Sequence, residues 1–367
     1  MGLKLVAAKV CVICVCLGVG WNALLSVSPI DPLPVDLPPP PERVGVLSYN
    51  KKLHSALKLA FGQVSGPEDL AVDSEGRIYT ACADGWVKRI SFASNDSYSS
   101  LQVEKWAYVG GRPLGIAFGL HGELLVCEAS RGLLNVTQEK VELLSEEADG
   151  LPYRLADGVD VGKDGVVYFT DASYKYGLDI HALDIIEGRP RGRLLKYDPA
   201  TNTTSVLLKE LYFANGVALS PKQDFLVYCE TSMFRCRKFW LEGPNRGNTE
   251  SFIDRLPGFP DNIRYDGQGI FWIALPTSWS LLGRTMVRYP YLRHVIVAMA
   301  AMAPGVIDAT LVKESSVVAV NENGETVALF SYPGITSITA GLRIGEFLYY
   351  GGIDLEYIGR LDLEDKI

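Results

Sequence analysis

The chain has 367 residues, 48% of them hydrophobic, which is enough to bury a large core. Its net charge is −8 and it has no basic run, so nucleic acid is excluded as an expected partner. The acidity fits either cation binding or plain solubility. Length alone favours two or three domains, unless the chain forms one large β fold.

The first 28 residues form a hydrophobic segment with a basic flank. Lys4 and Lys9 precede or interrupt an apolar stretch that reaches Val27. Such a stretch is about long enough to span a bilayer, which needs roughly 20 residues. Residues 1–28 are therefore predicted to be a signal peptide or a type II signal anchor. Either would send the rest of the chain to the lumen of the secretory pathway, with the endoplasmic reticulum or the vacuole as the expected compartment.

Residues 29–45 are rich in proline and are predicted to form an extended, stiff stalk. Three glycosylation sequons follow, at Asn95, Asn135 and Asn202, and they agree with a lumenal address. Cys229 and Cys236 flank a predicted hairpin, where an oxidising lumen would allow a disulfide. Two free buried thiols are the alternative.

Residues 46–367 are predicted to be all-β, with short strands separated by Gly, Asp and Asn turns. Six units begin alike, and strand repeats of roughly 40–50 residues, here stretched by insertions, indicate a six-bladed β-propeller. The turn at 321–324 is read as an outer hairpin of blade five, and strand-like residues 57–64 and 346–363 as sharing blade six. Two segments, 179–188 and 291–303, are predicted to be helices.

Equivalent positions in six blades should form a ring around the central channel. The predicted ring consists of Glu68, Leu114, Asp157, Asn215, Asp261 and Ser337. Three carboxylates facing one another repel, and a hard cation relieves that repulsion. Carboxylate and amide oxygens suit Ca²⁺, so the ring predicts one calcium ion. A water-filled channel with polar walls is the alternative.

Several motifs resemble the strictosidine-synthase-like proteins. They include "GPEDLAVDSEGRIYTACADGWVKRI", "RPLGI", "ANGVALSP" and "PGFPDNIR". The resemblance implies a six-bladed propeller related to calcium-dependent hydrolases of the paraoxonase and gluconolactonase type. It implies Glu68, Asn215 and Asp261 as calcium ligands, with Asn262 as a further one. Asp157 stands where those enzymes usually have Asn, and it can still bind the ion.

Departures from that pattern bear on function. Leu114 and Ala129 occupy the sites of the paraoxonase His pair, and Thr339 falls at or near the sixth-blade Glu of strictosidine synthase. Amine–aldehyde condensation is therefore the least expected activity. Asp69 matches one ligand of the second, structural calcium of paraoxonase, but Gly158 replaces another.

Two classes of function remain open. The first is a calcium-dependent hydrolase of small esters or lactones, in which Asp261 or Glu68 acts as base, or Asp261 attacks as nucleophile. The second is a non-catalytic propeller that binds a small molecule or a protein. His181 on the helix at 179–188 and the aromatic residues Tyr174, Tyr176, Phe213 and Trp279 are candidates for the channel mouth. The oligomeric state does not follow from the sequence.

Overall fold

A computed structural model describes residues 26, 28–92, 101–303 and 305–364. The hydrophobic segment and Asn95 therefore lie outside the described residues, apart from Ser26 and Ser28. Within the described residues the chain forms two compact units. The larger comprises residues 38–185, 190–278 and 312–364, and the smaller comprises residues 28–37, Ile186–Arg189 and Trp279–Leu311.

The larger unit is a six-bladed β-propeller, as the sequence predicts, and each blade is a four-stranded antiparallel sheet. Blade one contains β2 Leu70–Val72, β3 Ile78–Ala81, β4 Trp86–Phe92 and β5 Leu101–Tyr108. Blade two contains β6 Pro113–Phe118, β7 Leu124–Glu128, β8 Gly132–Val136 and β9 Val141–Ser145. Blade three contains β12 Ala156–Val161, β13 Val167–Asp171, β14 Gly192–Asp198 and β15 Thr203–Leu211.

The last three blades complete the propeller. Blade four contains β16 Ala214–Leu219, β17 Phe225–Glu230, β18 Arg235–Trp240 and β19 Thr249–Ile253. Blade five contains β20 Ile263–Tyr265, β21 Ile270–Leu275, β24 Glu314–Asn321 and β25 Thr326–Pro333. Blade six contains β26 Ile338–Ile344, β27 Phe347–Gly352, β28 Ile358–Asp362 and β1 Leu57–Leu59. The turn at 321–324 joins β24 to β25, which confirms it as an outer hairpin of blade five.

The ends of the chain close the ring. Leu57 pairs with Arg360 and Leu59 with Ile358, so the first strand completes the last blade as predicted. The first strands of consecutive blades contact one another around the axis, and β2 contacts β26 to complete the circle. Apolar side chains of adjacent blades pack together, for example Phe225 and Val227 of blade four with Phe271 of blade five. The inner end of every blade therefore faces one shared channel.

Along the chain, the helices lie between strands of blade three and between strands of blade five. They are α1 His181–Glu187, α2 Leu281–Arg288, α3 Pro290–Met302 and α4 Gly305–Asp308. The two predicted helices correspond to α1 and α3. Two short ribbons, β10 Glu147–Ala148 with β11 Leu151–Pro152 and β22 Ser278–Trp279 with β23 Leu311–Val312, lie outside the blades. No helix within the described residues is long and apolar enough to span a bilayer.

The structure also locates the cysteine pair, two of the sequons and part of the proline-rich segment. Cys229 and Cys236 face each other across β17 and β18 and form a disulfide, which decides between the two alternatives. Asn202 is exposed in the turn between β14 and β15, whereas Asn135 lies in β8 with its amide oxygen buried. At the end of the proline-rich segment, Arg255 donates to the carbonyl oxygens of Pro39 and Pro40.

Candidate functional site

β-Bulges set the ring residues into the inner strands. In blades three and four the pairing with the second strand skips two residues, Asp157–Gly158 and Asn215–Gly216. Leu114 lies in the equivalent bulge of blade two. Bulged residues leave the regular ladder, and the local bend re-aims their side chains. An Asp or Asn can therefore begin an inner strand and still point into the channel.

The glycine after the ring residue allows the blades to approach closely. A methyl group on Gly158 would lie 2.8 Å from the carbonyl oxygen of Asn215 in the next blade. On Gly216 it would lie 2.5 Å from the carbonyl oxygen of Asp261. Neither contact is possible for a larger residue without moving a blade, so these glycines fix the spacing around the ring.

The sixth ring position is Thr339, so the prediction of Ser337 is wrong by two residues. The pairing of blade six skips Thr339 between Ile338 and Ala340. The Asn262 amide donates to the Thr339 carbonyl oxygen at 3.2 Å, as the Gly216 amide donates to that of Asp261. The Thr339 hydroxyl in turn donates to the Glu68 carbonyl oxygen at 2.7 Å. Blade six thus contributes a hydroxyl to the ring and no carboxylate.

The five predicted metal ligands are buried together in the channel. Each is at most 8% exposed: Glu68, Asp157, Asn215, Asp261 and Asn262. The Asn262 side-chain amide donates to Glu68 Oε1 at 2.8 Å, and Asn215 hydrogen-bonds to Asp261. Even so, Glu68 Oε2, Asn215 Oδ1 and Asp261 Oδ1 are buried without a hydrogen-bond donor. Buried oxygens of this kind are costly unless a donor or a cation compensates them.

The electrostatics of the ring favour a positive partner. Burial, followed by the charges of Asp261, Asp157 and Asp69, raises the pKa of Glu68 well above its usual range. Burial, followed by the charge of Asp261, does the same to the pKa of Asp157. Burial raises the pKa of Asp261 to about 7. Without a cation, the folded channel therefore favours the protonated form of these acids more than water does.

The donor set is made of oxygen atoms and mixes acids with amides. Within the described residues, no three His, Cys, Asp or Glu groups lie close enough to hold a metal ion by themselves. A cation at the ring would therefore depend on the amide oxygens of Asn215 and Asn262 as well as on the acids. The unpaired oxygens of acids and amides fit Ca²⁺.

An apolar wall stands beside the ring. Leu114, Ala129, Leu155, Ala172 and Phe213 are buried in one cluster, with Leu178 and Ile185 packed against it. The positions that the resemblance assigns to a His pair thus belong to this wall. His181 lies at its edge, with its ring centroid 6.4 Å from that of Phe213 and its Nδ1 2.6 Å from the Leu178 carbonyl oxygen. The wall places buried apolar side chains next to the polar ring.

Of the other aromatic candidates, Tyr176 and Trp279 are buried and Tyr174 is half-buried. Only Phe213 among the four belongs to the apolar wall.

Arg264 supplies a positive charge of the chain itself beside the ring, a role that no sequence motif predicts. Its guanidinium pairs with Asp69 Oδ2 and donates to the carbonyl oxygens of Ile116 at 2.8 Å and Val159 at 2.9 Å. Asp69 also accepts the amides of Leu70 and Ile116. Arg264 of blade five therefore ties blades one, two and three together. Asp69 is thus bound to a permanent positive charge of the chain itself.

Family models match two parts of the chain. A strictosidine synthase model matches residues 157–244, and a model described as strictosidine synthase-like, N-terminal, matches residues 45–90. The first includes two ring residues, Asp157 and Asn215, and the second includes Glu68.

Solved structures share the fold at low identity. A gluconolactonase from Xanthomonas campestris superposes with a TM-score of 0.59 at 16% identity, covering 92% of this chain and 99% of that one. The calcium-binding protein regucalcin from Agrobacterium tumefaciens has a TM-score of 0.54 at 15% identity, covering 83% and 90%. At this identity the likeness concerns the propeller fold alone.

Relatives with much higher identity cover most of the chain. Protein strictosidine synthase-like 6 of Arabidopsis thaliana is 47% identical over 308 residues, which are 83% of this chain and 81% of that protein. The human adipocyte plasma membrane-associated protein is 36% identical over 288 residues, 74% of this chain and 69% of that protein. This chain therefore belongs to the strictosidine synthase-like family of β-propeller proteins.

Proposed function

We propose that this chain is a calcium-dependent hydrolase of small esters or lactones. The observation that carries the proposal is the group of three buried oxygens without donors, on Glu68, Asn215 and Asp261. The apolar wall beside them would receive the hydrocarbon part of a small-molecule substrate. The propeller fold is shared with a bacterial gluconolactonase and with a calcium-binding regucalcin, which is compatible with this chemistry.

The ring residues have distinct roles in this proposal. Glu68, Asn215 and Asp261 would hold Ca²⁺, with Asp157 and Asn262 completing the set. When bound, the ion would polarise a carbonyl or phosphoryl oxygen of the substrate. Asp261 would accept the proton of an attacking water at its buried carboxylate, and Glu68 is the alternative base. Direct attack by Asp261 is the other route by which the same residue would act.

Hydrolysis of aryl esters and lactones by the full chain tests the proposal. Activity should disappear on chelation and return with Ca²⁺, and Asp261→Asn should lower it by about 10²-fold or more, as for loss of a general base. Asp73→Asn, in the turn between β2 and β3 of blade one, is the matched control and should retain activity. Calcium binding without hydrolysis of any of these substrates would contradict the enzyme and favour the binding propeller.

The binding propeller is the second candidate function. It is favoured by the buried Leu114 and Ala129, which fill with apolar side chains the positions of a His pair. A channel of this kind would hold a small molecule without reacting with it. Condensation of an amine with an aldehyde is less favoured, because the sixth ring position is Thr339 rather than an acid.

We also propose that the propeller lies in the lumen of the endoplasmic reticulum or the vacuole. The basic flank and the apolar segment of residues 1–28 support this, as does the exposed sequon at Asn202. Enzymatic deglycosylation of cell-made protein should increase its mobility, and Asn202→Gln should remove at least part of that shift. Protein recovered from the cytosol with no such shift would contradict a lumenal address.

A further inference from the structure

Helix α3 buries its one formally charged residue and exposes several large apolar ones. Arg293 is its only formally charged residue, and it is fully buried. Its guanidinium donates to the carbonyl oxygens of Glu187 at 2.8 Å, Ile186 at 3.3 Å and Val287. A helix at the surface of a water-soluble protein normally shows the opposite arrangement.

The exposed side of α2 and α3 carries large apolar and aromatic residues. Leu282 follows Leu281 at the start of α2, and Tyr289 at its end is eight residues after Leu281, so all three lie on one side of the helix. Leu281 is 85% exposed. In α3, Tyr291, Met299 and Met302 are eight and three residues apart, which also places them on one side of the helix. Met302 is 81% exposed. The two helices contact each other, so these side chains belong to one small unit. Exposed apolar patches of this kind mark interaction sites.

The charge of this segment differs from that of the chain as a whole. Residues 279–307 contain Arg284, Arg288 and Arg293 but no Asp or Glu, although the whole chain has a net charge of −8. Arg288 is exposed beside the apolar residues. Apolar and aromatic side chains combined with basic ones are typical of helices that lie in the interface of a phospholipid bilayer.

The chain itself indicates which surface covers these helices. The Ser28 hydroxyl and His294 Nδ1 of α3 are 2.7 Å apart. Ser28 is the last residue of the segment predicted to enter the membrane, as either anchor or signal peptide. Three residues further on, Asp31 accepts a hydrogen bond from Arg189 and its amide donates to Glu187 Oε1. The point where the hydrophobic segment ends is therefore held against α3.

From this juxtaposition we infer that α2 and α3 form a membrane-contact surface. The surface, defined by Leu281, Leu282, Tyr289, Tyr291, Met299 and Met302, lies in the headgroup layer of the bilayer that residues 1–28 are predicted to enter. The apolar side chains enter the layer and Arg288 faces the phosphates. Neither helix crosses the bilayer, and the contact does not depend on any activity of the channel.

Photo-crosslinking of the full chain in vesicles tests this inference. A benzophenone amino acid is placed at position 282 or 302, and the protein is reconstituted into phosphatidylcholine vesicles containing phosphatidylserine. The matched controls carry the same group at Phe61 or Leu120, which are exposed apolar residues of the propeller. Illumination should give lipid adducts at 282 and 302, at several times the yield found at the two control positions.

Each other outcome overturns the inference. Adducts to a second protein chain would make the surface an oligomer interface, and adducts to residues 1–27 would show that the chain covers it. Equal lipid yields at all four positions would mean that the contact is nonspecific. As a second test, Leu281→Glu with Met302→Glu should reduce lipid adducts from position 291 several-fold without changing the melting temperature. Unchanged adducts in that variant would also contradict the proposal.

Discussion

Replacing Arg264 with Met is expected to lower the free energy of unfolding by about 3–5 kcal/mol, the usual cost of removing one partner of a buried ion pair. The side chain of Arg264 is 12% exposed and that of Asp69 is fully buried. Without the guanidinium, the Asp69 carboxylate faces the acidic ring with no compensating charge. The carbonyl oxygens of Ile116 and Val159 each lose the hydrogen bond from Arg264 as well. Arg264 then no longer links blades one, two and three.

Urea unfolding of wild type and variant at neutral pH measures this loss. Arg89→Met is the matched control, because Arg89 pairs with Glu104 within one blade and that pair is partly exposed. Its loss should cost about 0–1 kcal/mol. The double variant Arg264→Met with Asp69→Asn should recover part of the stability, since it removes the uncompensated charge. Equal stability of Arg264→Met and Arg89→Met would show that Arg264 does not hold the blades together.

Metal-free protein is expected to become more stable in mild acid, which is the reverse of its behaviour with Ca²⁺. The folded state raises the pKa values of Glu68, Asp157 and Asp261, that of Asp261 to about 7. An acid whose pKa is raised by folding stabilises the fold below its unfolded pKa, near 4. That contribution is lost as the pH rises through the folded pKa. Stability should therefore fall between about pH 4 and pH 7, by up to about 1.4 kcal/mol per pH unit for each acid that titrates.

The difference between wild type and Asp261→Asn in chelator isolates this effect from other acids of the chain. The variant should lose part of the pH dependence and be the more stable protein at neutral pH. With Ca²⁺ in excess, wild type should instead gain stability as the pH rises, because the ion binds the ionised acids. The same pH dependence in both proteins, with and without Ca²⁺, would mean that Asp261 carries its charge in the folded channel without penalty.

Much of the fold and part of the site could be read from the sequence. Glu68, Asp157, Asn215 and Asp261 recur at the repeat length of a blade, and all four lie buried in the channel. The alternation of short apolar strands with Gly and Asp turns determined the blade count. The closing strand was visible because residues 57–64 and 346–363 are both strand-like and would otherwise lack a partner.

The rest depends on contacts that no local pattern shows. Ser337 stands eight residues before the turn glycine Gly345, the spacing that predicts a ring position, but the bulge of blade six brings Thr339 into the ring instead. Arg264 was missed because its partners Asp69, Ile116 and Val159 lie 195, 148 and 105 residues away. A single Arg three residues after an acid gives no indication of such distant acceptors.

Calorimetric titration of Ca²⁺ into metal-free wild type, with elemental analysis of the purified protein, tests the central claim most directly. We expect one ion per chain, weaker binding in Glu68→Gln, and unchanged binding in Leu114→Met, which keeps an apolar group at the one apolar ring position. At a hundredfold excess of Ca²⁺ over its dissociation constant, binding should add about 2.7 kcal/mol to the free energy of unfolding. No heat of binding, no bound ion and an unchanged melting temperature in wild type would show that the ring is only a polar channel.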